Sequence, residues 1–527
     1  MREALGHDEQ VRSPGARGAL GGLAAAAAVA VAELVRAVLH VRVHPVVAVS
    51  EELVERTPGA VADFLIGLVG TWDKPLLIGG VLAVVLLAGA LAGVLTGYGA
   101  GWSALPVGVV TVLGALAALA RPAAGSADLL PVVAGAGAWL VALGLLVAPL
   151  RRTPAVAPRP DGASGTGSTR RTVLARVGAV AAATAVAGIA GRAISRARDT
   201  VEATRRLVRL PVTAGAVPDG ADLLEDLRED GAVPWRTRAA DFYRIDTALA
   251  VPTIDPEQWQ LRIHGMVDRE IVLGFDELAT MELTQAWVTL CCVSNPVGGD
   301  LVGNAWWGGV RVAELLARAG VRPGADAVLQ TSEDGWTCAT PLAALTDERN
   351  ALVALAMNGE PLPLEHGFPA RMVVPGLYGY VSATKWLVDL EVTRFADVEA
   401  YWAQRGWSPE GPARTMSRID VPRSGTRLPA GKVTVAGVAW AQHTGIERVE
   451  VSVDGGPWVP ARVGGVPDGR SRDDTWVQWR VEVDAPAGDH LVTVRATDRS
   501  GYTQTAVRRD VVPDGATGWH EVDFSTD

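Results

Sequence analysis

Two of the three cysteines in this 527-residue chain are adjacent, in Val288-Thr289-Leu290-Cys291-Cys292-Val293-Ser294-Asn295. The run reads as a strand, where neighbouring side chains point to opposite faces, so one thiol faces a core and the other a site. Two inert buried thiols are the plain alternative. A tetrahedral zinc site needs three or four ligands, and no histidine cluster adjoins the pair. A lone thiolate can lend one soft donor to a metal held mainly by another group. Three cysteines are too few for a disulfide scaffold, a cysteine-rich zinc module or an iron–sulfur cluster held by the chain alone.

Other motifs flank this segment. Phe242-Tyr243-Arg244-Ile245-Asp246, Val251-Pro252 and Leu261-Arg262-Ile263-His264-Gly265 precede it. Ala305-Trp306-Trp307-Gly308-Gly309-Val310 follows. Then come Met357-Asn358-Gly359-Glu360-Pro361-Leu362-Pro363, His366-Gly367-Phe368-Pro369-Ala370-Arg371, Val373-Val374-Pro375-Gly376 and Lys385-Trp386. In this order the motifs resemble those of the sulfite oxidase family, whose metal-ligand pattern runs Thr-Leu-x-Cys-x-x-Asn. Aligned on Thr289, Leu290 and Asn295, the ligand is Cys292, not Cys291. The resemblance covers about Phe242 to Val392 and continues into the C-terminal segment, whose family counterpart is a dimerisation domain.

The resemblance implies a molybdenum–molybdopterin cofactor, its metal held by dithiolene sulfurs, the Cys292 thiolate and oxo groups. By position, His366 and Arg371 contact the pterin and its phosphate, with Lys385 and the backbone around Ala383 and Thr384. Arg244 and Asp246 stand at the family's upstream contacts; Arg244 is also the candidate catalytic cation beside Cys292. Some members carry histidine in place of Asp246. Ser332 and Asp334, in Thr331-Ser332-Glu333-Asp334-Gly335, are further contacts. Physical chemistry agrees: a phosphate suits the rigid donor fork of Arg371 and the point charge of Lys385. Glycine turns at Pro375-Gly376 and Gly379 let backbone N–H groups approach an anion. Taken singly, Arg371 reads equally as a surface ion pair and His366 as a cap.

Two departures bear on substrate and redox partner. Pro296 and Val297 stand where sulfite oxidases carry anion-binding arginines, and Trp407 corresponds to a family tyrosine near the substrate. Losing such donors from a buried anion pocket costs several kcal/mol of recognition, so sulfite is disfavoured and the pocket reads as apolar and aromatic. There is no Cys-x-x-Cys-His haem motif. His40 and His44, four apart on one helix face, cannot grip a haem from both sides, so no haem is expected. Electrons would pass to or from a separate carrier or a quinone.

The elements that must position these residues follow from the hydropathy pattern. From Phe242 to about Val392, short apolar strands alternate with loops and few helices, an α+β pattern. Val310–Ala319, Phe275–Thr280 and Leu342–Glu348 read as helices. Beyond Gly411, strands are expected at Lys432–Trp440, Arg448–Val453, Val477–Asp484, His490–Thr497 and Thr505–Val512. Their spacing argues for an immunoglobulin-like sandwich that mediates a homodimer. Residues 196–400 would form the molybdopterin domain, opening on a helical stalk, and 411–527 the sandwich.

The N-terminal part is different in kind. Mean hydropathy is +0.21, with only 20% charged residues, which points to membrane segments. The first 200 residues carry 17 basic and 12 acidic side chains, the rest 31 and 46. That acidic balance argues against nucleic acid. Ala19–Leu39, Leu76–Leu95, Trp102–Ala120 and Leu129–Leu150 are each long enough to span a bilayer, forming a four-span bundle over 1–150. Ala60–Gly70, with Asp63, reads as an interfacial piece, with a further span as the alternative. Glu33 and Arg36 share a helix face, as a pair or as part of an ion path. Basic flanks place the N-terminus and the 151–172 linker in the cytoplasm. That linker ends in Arg170-Arg171 before an apolar span within 173–195, resembling a twin-arginine export signal. The soluble part would then lie outside the cytoplasmic membrane.

The whole reads as a multidomain chain: a transmembrane bundle, an α+β molybdopterin domain and an all-β sandwich. The expected activity is two-electron oxygen-atom transfer on a small substrate, oxidising as sulfite oxidases do or reducing as the related methionine sulfoxide reductases do. The alternative is a cofactor-free cell-surface binding protein on the same fold.

Overall fold

The computed structural model describes residues 13–39, 44–57, 72–121, 125–151, 167–195 and 197–527, with a few isolated positions between them. It comprises two compact units, Met1–Val201 with Ala248–Thr253, and Glu202–Thr247 with Ile254–Asp527.

The first unit is helical: α1 Pro14–Val38, α2 Pro45–Arg56, α3 Asp73–Leu95, α4 Ala100–Leu119, α5 Leu130–Arg151 and α6 Gly167–Ser195, with α7 Ala197–Leu207 leading out. Among the described residues five helical stretches are long and apolar enough to cross a membrane: Pro14–Val38, Asp73–Leu95, Ala100–Leu119, Ser126–Ala148 and Arg171–Ala193. Helix α1 packs against α3, α5 and α6. Its Gly21 backs directly onto Gly89 and Gly93 of α3, where any Cβ would collide with backbone, the close approach that small residues permit between apolar helices. Glu33 and Arg36 pair at 2.8 Å. The expected shared helix face of His40 and His44 falls partly outside the described residues. Pro45 starts a new helix, and His44 is its N-cap. His40 lies outside the described residues, as do most of Ala60–Gly70 and the linker from 152 to 166. Helix α6 begins at Gly167, so Arg170 and Arg171 sit in its opening turns rather than in the linker.

The second unit holds four sheets. One has the order β2-β1-β10-β5-β6, from β1 Gln260–Gly265, β2 Ile271–Gly274, β5 Ala327–Ser332, β6 Thr337–Pro341 and β10 Leu387–Thr393. Only the β1–β10 pair in it is parallel. Another has the order β3-β4-β7-β8, with β9 also on β7: β3 Thr284–Cys291, β4 Val302–Arg311, β7 Leu352–Met357, β8 Glu360–Pro361 and β9 Arg371–Val373. Helices α8 Phe275–Thr280, α9 Val312–Ala319 and α10 Leu342–Thr346 complete the α+β part. Helix α9 starts two residues later than expected, because Val310 and Arg311 still pair with β7, and it ends on Gly320 at φ +75°.

Buried tryptophans bind the layers. Trp307 donates to the Val288 carbonyl, Trp259 to Leu387 and Trp386 to Leu364, so each large ring is buried with its N–H satisfied.

The C-terminal part is a two-sheet sandwich. Its first sheet contains β11 Met416–Val421, β13 Gly431–Trp440, β16 Arg462–Val463 and β17 Val477–Ala485. Its second contains β12 Thr426–Leu428, β14 Ile446–Val453, β15 Val459–Pro460, β18 Gly488–Asp498 and β19 His520–Thr526. Val433, Val435 and Trp479 of the first meet Val449, Val494 and Phe524 of the second in one core. The expected strand at Thr505–Val512 is absent. That stretch makes only an isolated bridge, Arg509 to Thr517, and the last position on β18 is taken by β19.

Candidate active site

Strand β3 buries six consecutive residues, Ala286 to Cys291, as expected for a strand covered on both faces. It ends at the cysteine pair. Cys291 is 2% exposed and turns its sulfur back toward the Cys292 carbonyl. Cys292 opens the following turn and lines a pocket of about 130 Å³. Asn295 closes that turn: its N–H donates to Cys292, and its side-chain oxygen accepts from Leu301. A Cβ on Gly299 would strike this same oxygen. Thr289 ties the strand to the C-terminal part, accepting from Trp476 N–H at 2.7 Å and donating its own N–H to the Asp474 carbonyl.

Across the pocket from separate elements come Asp246, Ser332, Asp334, Arg371, Ala383 and Lys385. Arg371 begins β9 and is 4% exposed. Its three hydrogen bonds go to backbone carbonyls of Met372, His366 and Ala383 at 3.3 to 3.4 Å, and its guanidinium lies 5.1 Å from the Trp307 ring. Among the described residues it forms no ion pair. Burial lowers its proton affinity to about 10, so it stays charged at neutral pH. Lys385 is 9% exposed and pairs with Asp246 at 2.7 Å. Burial pulls it down to about 8 against the opposing pull of Asp246. The next residue, Trp386, is held at φ +49°, a conformation costly for a bulky side chain and common at functional sites.

His366 does not line the pocket but adjoins it, its carbonyl accepting from Arg371. Its Nε2 lies 2.7 Å from the Ala239 carbonyl, and its buried Nδ1 has no hydrogen-bond partner among the described residues. Burial, and then the Arg371 and Lys385 charges, hold it near 4, so the ring is neutral with Nδ1 as acceptor. The Ser332 hydroxyl is likewise buried without a partner. Cys292 is a protonated thiol here. Burial raises it, while hydrogen bonds with Ser294 pull the other way.

Two expectations sit differently. Arg244 is exposed and off the pocket wall, while its neighbours Tyr243, Ile245 and Asp246 line it. It acts on Lys385 and His366 through its charge alone. The Thr384 side chain bonds Gln330 and Cys338, so a contact there is left to its backbone, the part expected to make it. Pro375-Gly376 does not reach the pocket. A Cβ on Gly376 would instead come within 2.8 Å of His443.

Much of the rest of the wall is aromatic: Phe242, Tyr243, Trp336, Tyr380, Trp402 and Trp407. Of these only Trp407 was singled out by the sequence pattern. The others lay in motifs read for other residues, or in none. Burial pushes the Tyr243 phenol well above its ordinary range, and the neighbouring thiols add to this.

A buried cation without a counter-charge, a second beside it, and two orphaned polar atoms fit a polar, anionic group bearing phosphate. The donor set therefore fits a molybdopterin, with Cys292 as the single thiolate the chain can offer from the pocket wall.

Comparison with known proteins agrees. Residues 248–402 match the model for an oxidoreductase molybdopterin binding domain, and 403–526 the Mo-co oxidoreductase dimerisation domain. Mitochondrial sulfite oxidase of Homo sapiens is 30% identical over 301 residues, 48% of this chain and 54% of that protein. The uncharacterized oxidoreductase YuiH of Bacillus subtilis is 35% identical over 157 residues, 30% of this chain and 76% of that one. The sulfane dehydrogenase SoxCD of Paracoccus pantotrophus matches at 22% identity and a TM-score of 0.49, over 56% of this chain and 85% of that one. The chain spans about half the length of the sulfite oxidases it matches. From the ligand-strand motif, the pocket it serves and the two matched domains, the chain belongs to the sulfite oxidase family of molybdopterin-dependent oxidoreductases.

Proposed function

We propose that this chain is a membrane-anchored molybdenum–molybdopterin oxidoreductase. Its catalytic part would work outside the cytoplasmic membrane, with an immunoglobulin-like C-terminal domain joining two copies. The observation that carries the cofactor reading is Arg371: a buried cation with carbonyls and the Trp307 ring against it and no ion pair among the described residues, on the pocket that Cys292 lines. When bound, the cofactor supplies a two-electron metal centre for oxygen-atom transfer. Arg371 and Lys385 hold its phosphate, with Asp246 setting the charge of Lys385 and Arg244 adding to the field from the rim. His366 Nδ1, Ser332, Asp334 and the backbone at Ala383 and Thr384 take the pterin's polar edge. Cys292 gives up its thiol proton on ligation, and Ser294 assists by favouring the thiolate.

The aromatic wall excludes water and sets the substrate. Among the described lining residues the only cations are Arg371 and Lys385. With both given to the phosphate, no cation is left for an oxyanion, so the substrate is a small uncharged molecule rather than sulfite. Electrons exchange with a separate carrier or a quinone. Five apolar helices and the Arg170-Arg171 pair support anchoring with export of a folded domain.

Cys292→Ser tests the central assignment. Wild-type protein made with the cofactor pathway is expected to hold molybdenum with a protein thiolate visible in its X-ray absorption spectrum. In the variant the thiolate signal and dye-linked turnover should vanish. A wild-type spectrum without a protein sulfur beside the metal would overturn the reading.

A further inference from the structure

Among the apolar helices lies a second cavity, of about 480 Å³. Its wall is aliphatic except for Glu33, His44, Thr111 and Trp139. Glu33 is gripped by Arg36 through bonds of 2.8 and 2.9 Å, and His44 Nε2 lies 3.2 Å from the same carboxylate. Trp139 is 2% exposed, and its indole N–H has no hydrogen-bond partner among the described residues. A polar cluster on the wall of an aliphatic, intramembrane cavity is costly and marks a functional site by default. Pairing with Arg36 accounts for Glu33. It accounts neither for a histidine brought in from the next helix nor for a buried, unsatisfied indole N–H.

We propose that this cavity binds the ring of a membrane quinone or quinol. The proposal rests on the membrane-anchored reading above and goes beyond it by assigning a site. The volume suits a ring and the start of its tail. The aliphatic wall suits the tail. A carbonyl can accept from Trp139 or His44, and a hydroxyl can donate to Glu33. Lipid phosphate is disfavoured, because the described wall carries a carboxylate and no lysine or arginine.

The test uses full-length, cofactor-loaded protein in nanodiscs of phosphatidylcholine, with radiolabelled decylubiquinone as the probe. One saturable site is expected. A Cβ on Gly80, which lines the cavity, would meet nothing within 4 Å, so Gly80→Phe fills the space and should weaken binding at least 10-fold. Trp139→Phe, which keeps the bulk and removes the N–H, should weaken it about 5-fold. Absence of saturable binding, unchanged affinity in both variants, or displacement of the probe by short-chain phosphatidylglycerol would each overturn the proposal. Release of the chain from membranes by alkaline carbonate would overturn the anchoring itself. A detergent-dependent chain that binds no quinone would overturn only this assignment.

Discussion

Replacing Arg371 with methionine should move two properties in opposite directions. Full burial pulls the guanidinium down from its ordinary range to about 10, which at ~1.4 kcal/mol per tenfold is on the order of 3 kcal/mol against the charged form. Both values lie above 7, so the folded protein bears this cost throughout the neutral range. On the other side stand three hydrogen bonds of 3.3 to 3.4 Å and the Trp307 face, together worth about 2 kcal/mol. Methionine keeps much of the volume without the charge. Cofactor-free Arg371→Met should therefore be as stable as the wild type, or up to ~1 kcal/mol more stable. With the cofactor pathway present, losing a charge-assisted contact to phosphate costs about 1.5–3 kcal/mol, a 10- to 100-fold loss of retention. Urea unfolding of the cofactor-free chain and molybdenum content of the loaded chain measure the two effects. A variant that loses 3 kcal/mol or more without cofactor, yet keeps its molybdenum, would show that Arg371 is a structural strut.

Two pH effects follow from the same pocket. Lys385 is held near 8 in the cofactor-free state, so affinity for inorganic pyrophosphate, a stand-in for the phosphate, should fall as pH rises through 8 to 9. Asp246→Asn removes the carboxylate that props up the lysine and should move that decline to lower pH, read by isothermal titration. His366 falls from 6.5 to about 4 on burial; its contribution is complete above 6.5 and is lost as pH drops toward 4, about 3 kcal/mol in all. His366→Gln should flatten the acid limb of the unfolding curve between those values; an unchanged limb would place the titration elsewhere.

Much of the site was legible because it is carried by short segments with strong local chemistry. Strand alternation predicts that one cysteine of the pair faces a site, and the turn that Asn295 closes delivers Cys292 to the pocket. Helix α9 was announced by its apolar spacing and Gly320. What could not be read locally depends on partners distant in sequence. Thr505–Val512 alternates like a strand yet has no free ladder beside it, since β19 occupies that edge. Gly376 looks like an anion-binding turn, but a Cβ on it would meet His443. Arg244 is exposed while its neighbours on both sides line the pocket. Trp336 and Tyr380 reach the pocket wall only because β5, β6 and the segment before β10 converge there.

The ligand strand also has a condition attached to its timing. Thr289, three residues before the proposed metal ligand Cys292, is bonded through both its hydroxyl and its N–H to a segment nearly 190 residues downstream. A ribosome that has just released the cysteine has not yet made the piece that locks it in place. Productive loading therefore has to wait until Trp476 has been made, and chains cut short before it should accumulate as metal-free protein, however much cofactor the cell supplies.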